Sequence, residues 1–305
     1  MESKTPRISD LINMESPQDV LDEVKKIVLL IFPRFNFESI DLTFSDALRL
    51  FEGLYPGYRA CDTDYHDLKH TTDTFLAMAR IIHGAGITDR RFSERDVTLG
   101  LISALFHDSG YILTLDEEGS GAKYTPVHIK RSIAFMDKYF VARGFSREDF
   151  EFCHAVLKCT GLDVRINEIR FASQENEVLG KMLGTADLLG QMADRTYLEK
   201  LPLLYDEFKI ANIKGLGSEL DFFRNTPGFY DMTMDRFQHE LGGVKEYMRH
   251  HFRARWGIDK DLHMSAIENS IAYLKQILEH HPDDCRKQLR RAGVIRNLER
   301  IRGLS

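Results

Sequence analysis

Val97-Thr98-Leu99-Gly100-Leu101-Ile102-Ser103-Ala104-Leu105-Phe106-His107-Asp108 is an apolar run that ends in an imidazole and a carboxylate side by side, with Ser109-Gly110 after it. Ser93-Glu94-Arg95-Asp96, just ahead, reads as a helix start with serine as the cap. Val97, Leu101, Ala104 and Asp108 then fall on one helical face, so the carboxylate ends an apolar stripe. A carboxylate placed there is partly buried. It must be paired or hold a metal, because an uncompensated buried charge is costly.

Three-to-four-residue apolar spacing recurs along most of the chain, and only eight of 305 residues are proline. The fold class expected is all-α, a helical bundle. Ser16-Pro17 opens a helix that Pro33 stops, and a second runs from Ser45 to Tyr55-Pro56-Gly57. Central helices are expected over His66 to His83, Ser93 to Asp108, Thr125 to Ala142, Ser146 to Cys159, Glu177 to Tyr197 and Pro202 to Ile210. Two more cover Met232 to Trp256 and Met264 to His280, and Ala211 to Tyr230 reads as a loop over the site. The organisation expected is an N-terminal helical segment (1–58), a core (59–210) and a C-terminal helical extension (211–305).

Hydrophobic residues make up 43% of the chain and charged ones 29%, with a net charge of −6. That balance argues against a general nucleic-acid binder, which carries a basic stripe. A small phosphorylated substrate stays allowed, since a local metal site overrides the global charge. The four cysteines, Cys61, Cys153, Cys159 and Cys285, form no CxxC pair, so reduced thiols and a cytoplasmic location are expected. Met1 to Asp10 lacks the apolar core of a signal peptide, and no apolar run is long enough to span a bilayer. The basic stretch Arg286 to Arg302 carries Leu289, Val294, Ile295, Leu298 and Ile301. A surface helix packed on the body, or on a second copy in a homodimer, suits it better than a membrane-binding one.

His66 and His70 are four residues apart, the spacing of one helix face. Histidine is the commonest transition-metal ligand. Asp187 follows Leu179 and Leu183 at the same spacing, so it too ends an apolar stripe and needs a cation, with Arg195 as the bland alternative. His83 is expected at a helix C-terminus, and His250-His251 and His280-His281 as surface pairs.

With these residues in view, the chain resembles the HD-domain metal-dependent phosphohydrolase superfamily, and within it the class I cyclic-nucleotide phosphodiesterases. Tyr65-His66-Asp67-Leu68-Lys69-His70-Thr71-Thr72-Asp73 is similar to their YHNxxHAxDV motif, Leu105-Phe106-His107-Asp108 to the defining helix end, and Thr185-Ala186-Asp187-Leu188 to their ADL motif. The matches span Tyr65 to Arg195, less than half of the chain. The resemblance implies a phosphodiesterase-like bundle in which His70, His107, Asp108 and Asp187 hold a first divalent ion. Asp108 would bridge to a second ion, His128 and His154 would serve that ion, and His66 would be the general acid. Mn, Fe, Mg, Zn and Ni all suit such a donor set. Tyr111 stands where phosphodiesterases carry a further histidine, Cys159 near the place of another, and Asp67 in place of the motif's asparagine.

Metal-dependent hydrolysis of a phosphodiester in a nucleotide-type substrate is the expected activity, with His66 protonating the leaving oxygen. Lys123, Arg131 and Gln238 are the candidate substrate contacts, and Phe222, Phe223, Phe229 and Tyr230 line a base pocket or pack in the core. The alternatives are a nucleoside-monophosphate phosphomonoesterase and a nucleotide sensor without turnover.

Overall fold

Ser16, Ser93, Ser146, Ser173 and Ser218 each accept a hydrogen bond from the backbone N–H three residues on, and a helix begins after each. These caps satisfy donors that a helix N-terminus leaves open. The computed structural model describes residues 6–88 and 90–301. Its helices are α1 (Pro17–Leu29), α2 (Glu38–Phe51), α3 (Leu68–Gly86), α4 (Glu94–Phe106), α5 (His128–Arg143), α6 (Arg147–Lys158), α7 (Gln174–Met192), α8 (Tyr197–Ile210), α9 (Glu219–His239), α10 (Tyr247–Trp256), α11 (Leu262–His280), α12 (Cys285–Gln288) and α13 (Val294–Ile301). No strand occurs among the described residues, so the fold is all-α. No described helix is long and apolar enough to cross a membrane.

α3 is the centre. Every side chain from His70 to Ala85 is buried, as expected of a helix surrounded on all sides. Around it pack α1, α4, α7 and α10. α7 comes closest because Gly190 faces it: a Cβ there would lie 3.0 Å from the nitrogen of Thr74. That approach sets the ends of α3 and α7 that carry His70 and Asp187 beside each other. One core cluster runs from Ile8 to Ile295 and includes the C-terminal Leu289. Leu289 and Ile295 thus turn into the body, as the packed-helix reading of the basic stretch expects.

Several boundaries differ from the sequence reading. α3 starts at Leu68, not at His66, because Asp67 is extended and its carboxylate caps the backbone N–H of His70 at 2.8 Å. His66 therefore lies outside the helix and shares no helical face with His70. Only residues 211–218 form a loop, since the Ser218–Asp221 capping box starts α9 within the segment read as a loop. Gly242 and Gly243, both with positive φ, break the helix expected from Met232 to Trp256. His251 is buried rather than a surface residue. α10 packs on α3 and sets His251 Nδ1 3.2 Å from His83 Nδ1, while His263 Nε2 of α11 lies 3.4 Å from Arg80.

Candidate metal centre

Three helices converge on one point. His70 stands in the first turn of α3, His107 ends α4, and Asp187 lies on α7. One ligand atom from each lies within 4.8 Å of the others, in a buried group able to hold a metal ion. His70 Nε2 is 3.2 Å from His107 Nε2 and 3.1 Å from Asp187 Oδ1, and His107 Nε2 is 3.6 Å from that same oxygen. Asp108 adds Oδ2 at 3.4 Å from His70 Nε2 and 3.2 Å from His107 Nε2. Donors held at about 2.0–2.2 Å from one ion stand about 3.0–3.5 Å apart, close to the 3.1–3.6 Å separations among His70 Nε2, His107 Nε2 and Asp187 Oδ1. Asp108 Oδ2 is buried and has no hydrogen-bond partner.

Hydrogen bonds set the tautomers. A carbonyl only accepts, so His107 Nδ1–H donates to Ala104 O at 2.8 Å and its Nε2 lone pair faces the cluster. His128 Nδ1–H likewise donates to Thr125 O at 2.7 Å, leaving Nε2 to face Asp108 Oδ1 at 3.8 Å. Burial pushes the His70 imidazole down, but the facing carboxylates of Asp108 and Asp187 win, and its pKa stands at about 9. His107 moves in the same direction through the same carboxylates. Asp108 and Asp187, which burial alone would raise, are held well below the usual carboxylate range by the two imidazoles.

The turn after Asp108 is tied to α5. Gly110 N–H donates to Ser132 Oγ at 2.9 Å, and Ser132 Oγ–H donates to His107 O at 2.6 Å. A Cβ on Gly110 would lie 1.9 Å from the carbonyl oxygen of His128. Only glycine lets the start of α5 come that close, and this brings His128 to Asp108.

His66 enters from the loop before α3. Its Nδ1–H donates to Glu207 Oε2 at 2.6 Å, and Glu207 Oε1 accepts from Tyr65 N at 2.7 Å. Burial lowers the His66 pKa, but the charge and hydrogen bond of Glu207 more than offset it, so the net shift is upward. Tyr111 fills the space between the two outer histidines. Its ring stacks on His66 at 4.5 Å and on His128 at 4.7 Å. Glu207, on α8, went unnoticed in the sequence. Asp67, next to His66 in sequence, instead caps α3, and Glu117 is held by Arg131.

Other expected residues lie elsewhere. His154 stacks on Phe150 at 5.7 Å with Nδ1 3.7 Å from Glu151, so it lines the outer cavity and does not join His128 at Asp108. Cys159 is fully buried and pushed up to about 12 by that burial, a thiol and not a ligand. Lys123 donates to the carbonyl of Glu118 and does not line the cavity. Arg131 is consumed by Glu117, at 2.9 Å through both ends of its guanidinium, and by the carbonyls of Gly110 and Ile112. Gln238 is on the exposed face of α9, because Arg236 and Phe237 take the buried one. Asp187 meets His70 and His107, not Arg195.

Asp108, Asp187, His66, Tyr111 and His128 open into one cavity of about 1400 Å³. The fold and site thus define an all-α protein with a buried histidine–aspartate donor set at the end of a large cavity. The chain belongs to the Npun_R2479-like family, which it matches over residues 56–246, a stretch that includes every donor. No curated protein matches it.

Proposed function

We propose that the protein is a metal-dependent phosphohydrolase that cleaves a phosphodiester, with His66 as general acid. The observation that carries this is the orphaned Asp108 Oδ2, buried among His70, His107 and the Glu207–His66 pair at the end of an open cavity. The order of the ligand residues, and their resemblance to HD-domain phosphohydrolases, support the same reading. A nucleotide-type ester is the substrate the resemblance suggests.

A divalent ion held by His70, His107, Asp108 and Asp187 would neutralise phosphoryl charge and acidify a bound water. His128 and Asp108, whose Nε2 and Oδ1 lie 3.8 Å apart, would help hold a second ion. The remaining chemistry belongs to the chain. Glu207 fixes the His66 ring through Nδ1 and favours its imidazolium form, so the proton on Nε2 is available to the leaving oxygen. Tyr111, packed between His66 and His128, keeps both rings from rotating. Water forms a bond to phosphorus and gives up a proton to solvent, the bond from phosphorus to the ester oxygen breaks, that oxygen takes the His66 proton, and solvent reprotonates His66.

The test is metal content and product analysis of the Mn²⁺-loaded chain with cyclic nucleotides, cyclic dinucleotides, nucleoside monophosphates and bis(p-nitrophenyl) phosphate. Asp108→Ala is expected to lose both metal and turnover. His66→Ala is expected to keep the metal and lose about 10²–10⁴-fold in rate on substrates with poor leaving groups. Hydrolysis retained by Asp108→Ala would overturn the proposal.

A further inference from the structure

We infer that the ester brought to this site carries a long aliphatic group, and that the wall formed by α8 and α9 receives it. The inference rests on the phosphohydrolase reading above and names its substrate class. The cavity, about 1400 Å³, exceeds the roughly 300–1,000 Å³ of ordinary small-molecule sites. A mononucleotide would leave much of it unfilled.

The walls differ in kind. α8 and α9 supply Leu201, Leu204, Phe208, Phe222 and Phe229, and from Tyr197 to Phe229 no charged side chain lines the cavity. Leu188, beside Asp187, and Phe171 line the same cavity. The charged side chains outside the metal site come from α5, α6 and the chain between α6 and α7: Lys130, Lys158 and Arg170 line the cavity without an ion pair among the described residues, and Arg165 lines it paired with Glu168. Glu151 and Asp163 line it from the same segments.

A nucleobase needs several donors and acceptors met. On the α8–α9 wall, from Tyr197 to Phe229, the polar side chains lining the cavity are Tyr197, Asn225 and Thr226 alone, and the Thr226 hydroxyl already donates to the carbonyl of Phe222. An alkyl chain needs only apolar surface. Its anionic phosphate would sit between the metal donors and the lysines, with its chain along the leucines and phenylalanines.

The test uses the full chain in two measurements. In the first, the Mn²⁺-loaded protein hydrolyses alkyl p-nitrophenyl phosphates from ethyl to decyl, water replacing p-nitrophenolate at phosphorus. Each buried methylene is worth about fourfold in binding, so kcat/KM is expected to rise at least 100-fold along the series. Phe229→Asp should flatten that rise. In the second, n-alkanols displace the fluorophore N-phenyl-1-naphthylamine from metal-free protein, with Kd falling as the chain lengthens.

Rates and Kd values independent of chain length would overturn the inference, as would a cyclic mononucleotide with a higher kcat/KM than the decyl ester. Absence of all ester turnover would instead defeat the phosphohydrolase reading. The alkanol series then decides the wall by itself: tighter binding of longer chains upholds it, and flat binding refutes it.

Discussion

Loading the metal-free protein with Mn²⁺ at pH 7.5 is expected to release about one proton per ion. His70 Nε2 and His107 Nε2 are 3.2 Å apart, and two N–H groups cannot face each other at that distance. His107 already spends its Nδ1 proton on Ala104, so its Nε2 accepts and His70 Nε2 donates. The metal-free pair therefore has room for one extra proton, which the carboxylates beside both imidazoles favour. Burial opposes it, but Asp108 and Asp187 keep the His70 pKa at about 9, against 6.5 ordinarily. An ion arriving at pH 7.5 must displace that proton. The logarithm of the apparent association constant should rise by about one per pH unit between pH 7 and 8.5, then flatten above pH 9.

The same proton stabilises the metal-free fold. The folded pKa lies above the unfolded one, so the contribution is complete below about pH 6.5 and is lost as the pH climbs through about 9. It is worth about 3 kcal/mol, or on the order of 5 °C in melting midpoint for a chain of this length. The metal-loaded protein should not show that loss, since its imidazoles are already deprotonated at Nε2. Titration calorimetry in buffers of different ionisation enthalpy counts the protons, and thermal melts from pH 6 to 10 read the stability. Metal affinity independent of pH, or a metal-free midpoint that rises from pH 6.5 to 9, would refute the reasoning.

Glu207→Gln keeps an acceptor for Tyr65 N but removes the charge that holds the His66 proton. The rate is expected to fall about 10–100-fold and the alkaline limb of the pH–rate profile to move to lower pH, with metal content unchanged; an unmoved limb would assign Glu207 a purely structural part. Gly110→Ala drives a Cβ into the carbonyl of His128, so urea denaturation should show a loss of about 1–3 kcal/mol. Wild-type stability there would mean that α5 moves freely. At the opposite end of α3, burial and then Arg255 hold the His83 pKa down to about 4. Its contribution is present above about pH 6.5 and lost as the pH falls through about 4, a loss of about 3 kcal/mol. His83→Phe should flatten that part of the acid limb in urea titrations from pH 7 to 4, and a limb of unchanged steepness would count against it.

The sequence showed its class through periodicity and serine caps, both local properties. His107, Asp108 and Asp187 were legible for a related reason: each is a polar residue that interrupts or ends an apolar stripe and has to be compensated. The register of His66 was misread because Asp67 looked like a substituted motif residue, although aspartate just before a periodic run is also a cap signal. Glu207 offered no such signal. It lies 141 residues from His66 on a separate helix, and an acidic residue on a half-exposed helix has a solvated face as its ordinary fate. Arg131 was drawn toward the substrate by its charge, while its partner Glu117 lies 14 residues earlier in the chain, with no pattern linking the two.

What a site does and what it acts on are written in different kinds of residue. The donors stand out because they break the hydrophobic pattern. Leu201, Leu204, Phe208, Phe222 and Phe229 obey that pattern, so in sequence they look like ordinary core. Only the cavity that α8 and α9 border, on a face not taken up by α11 and α13, separates a wall from a core face. The position of a buried polar centre is therefore open to sequence reasoning, whereas the shape of an apolar cavity waits for the fold. For the same reason, substitutions in the apolar wall should alter chain-length preference without disturbing metal content, and those among the histidines and aspartates should do the reverse.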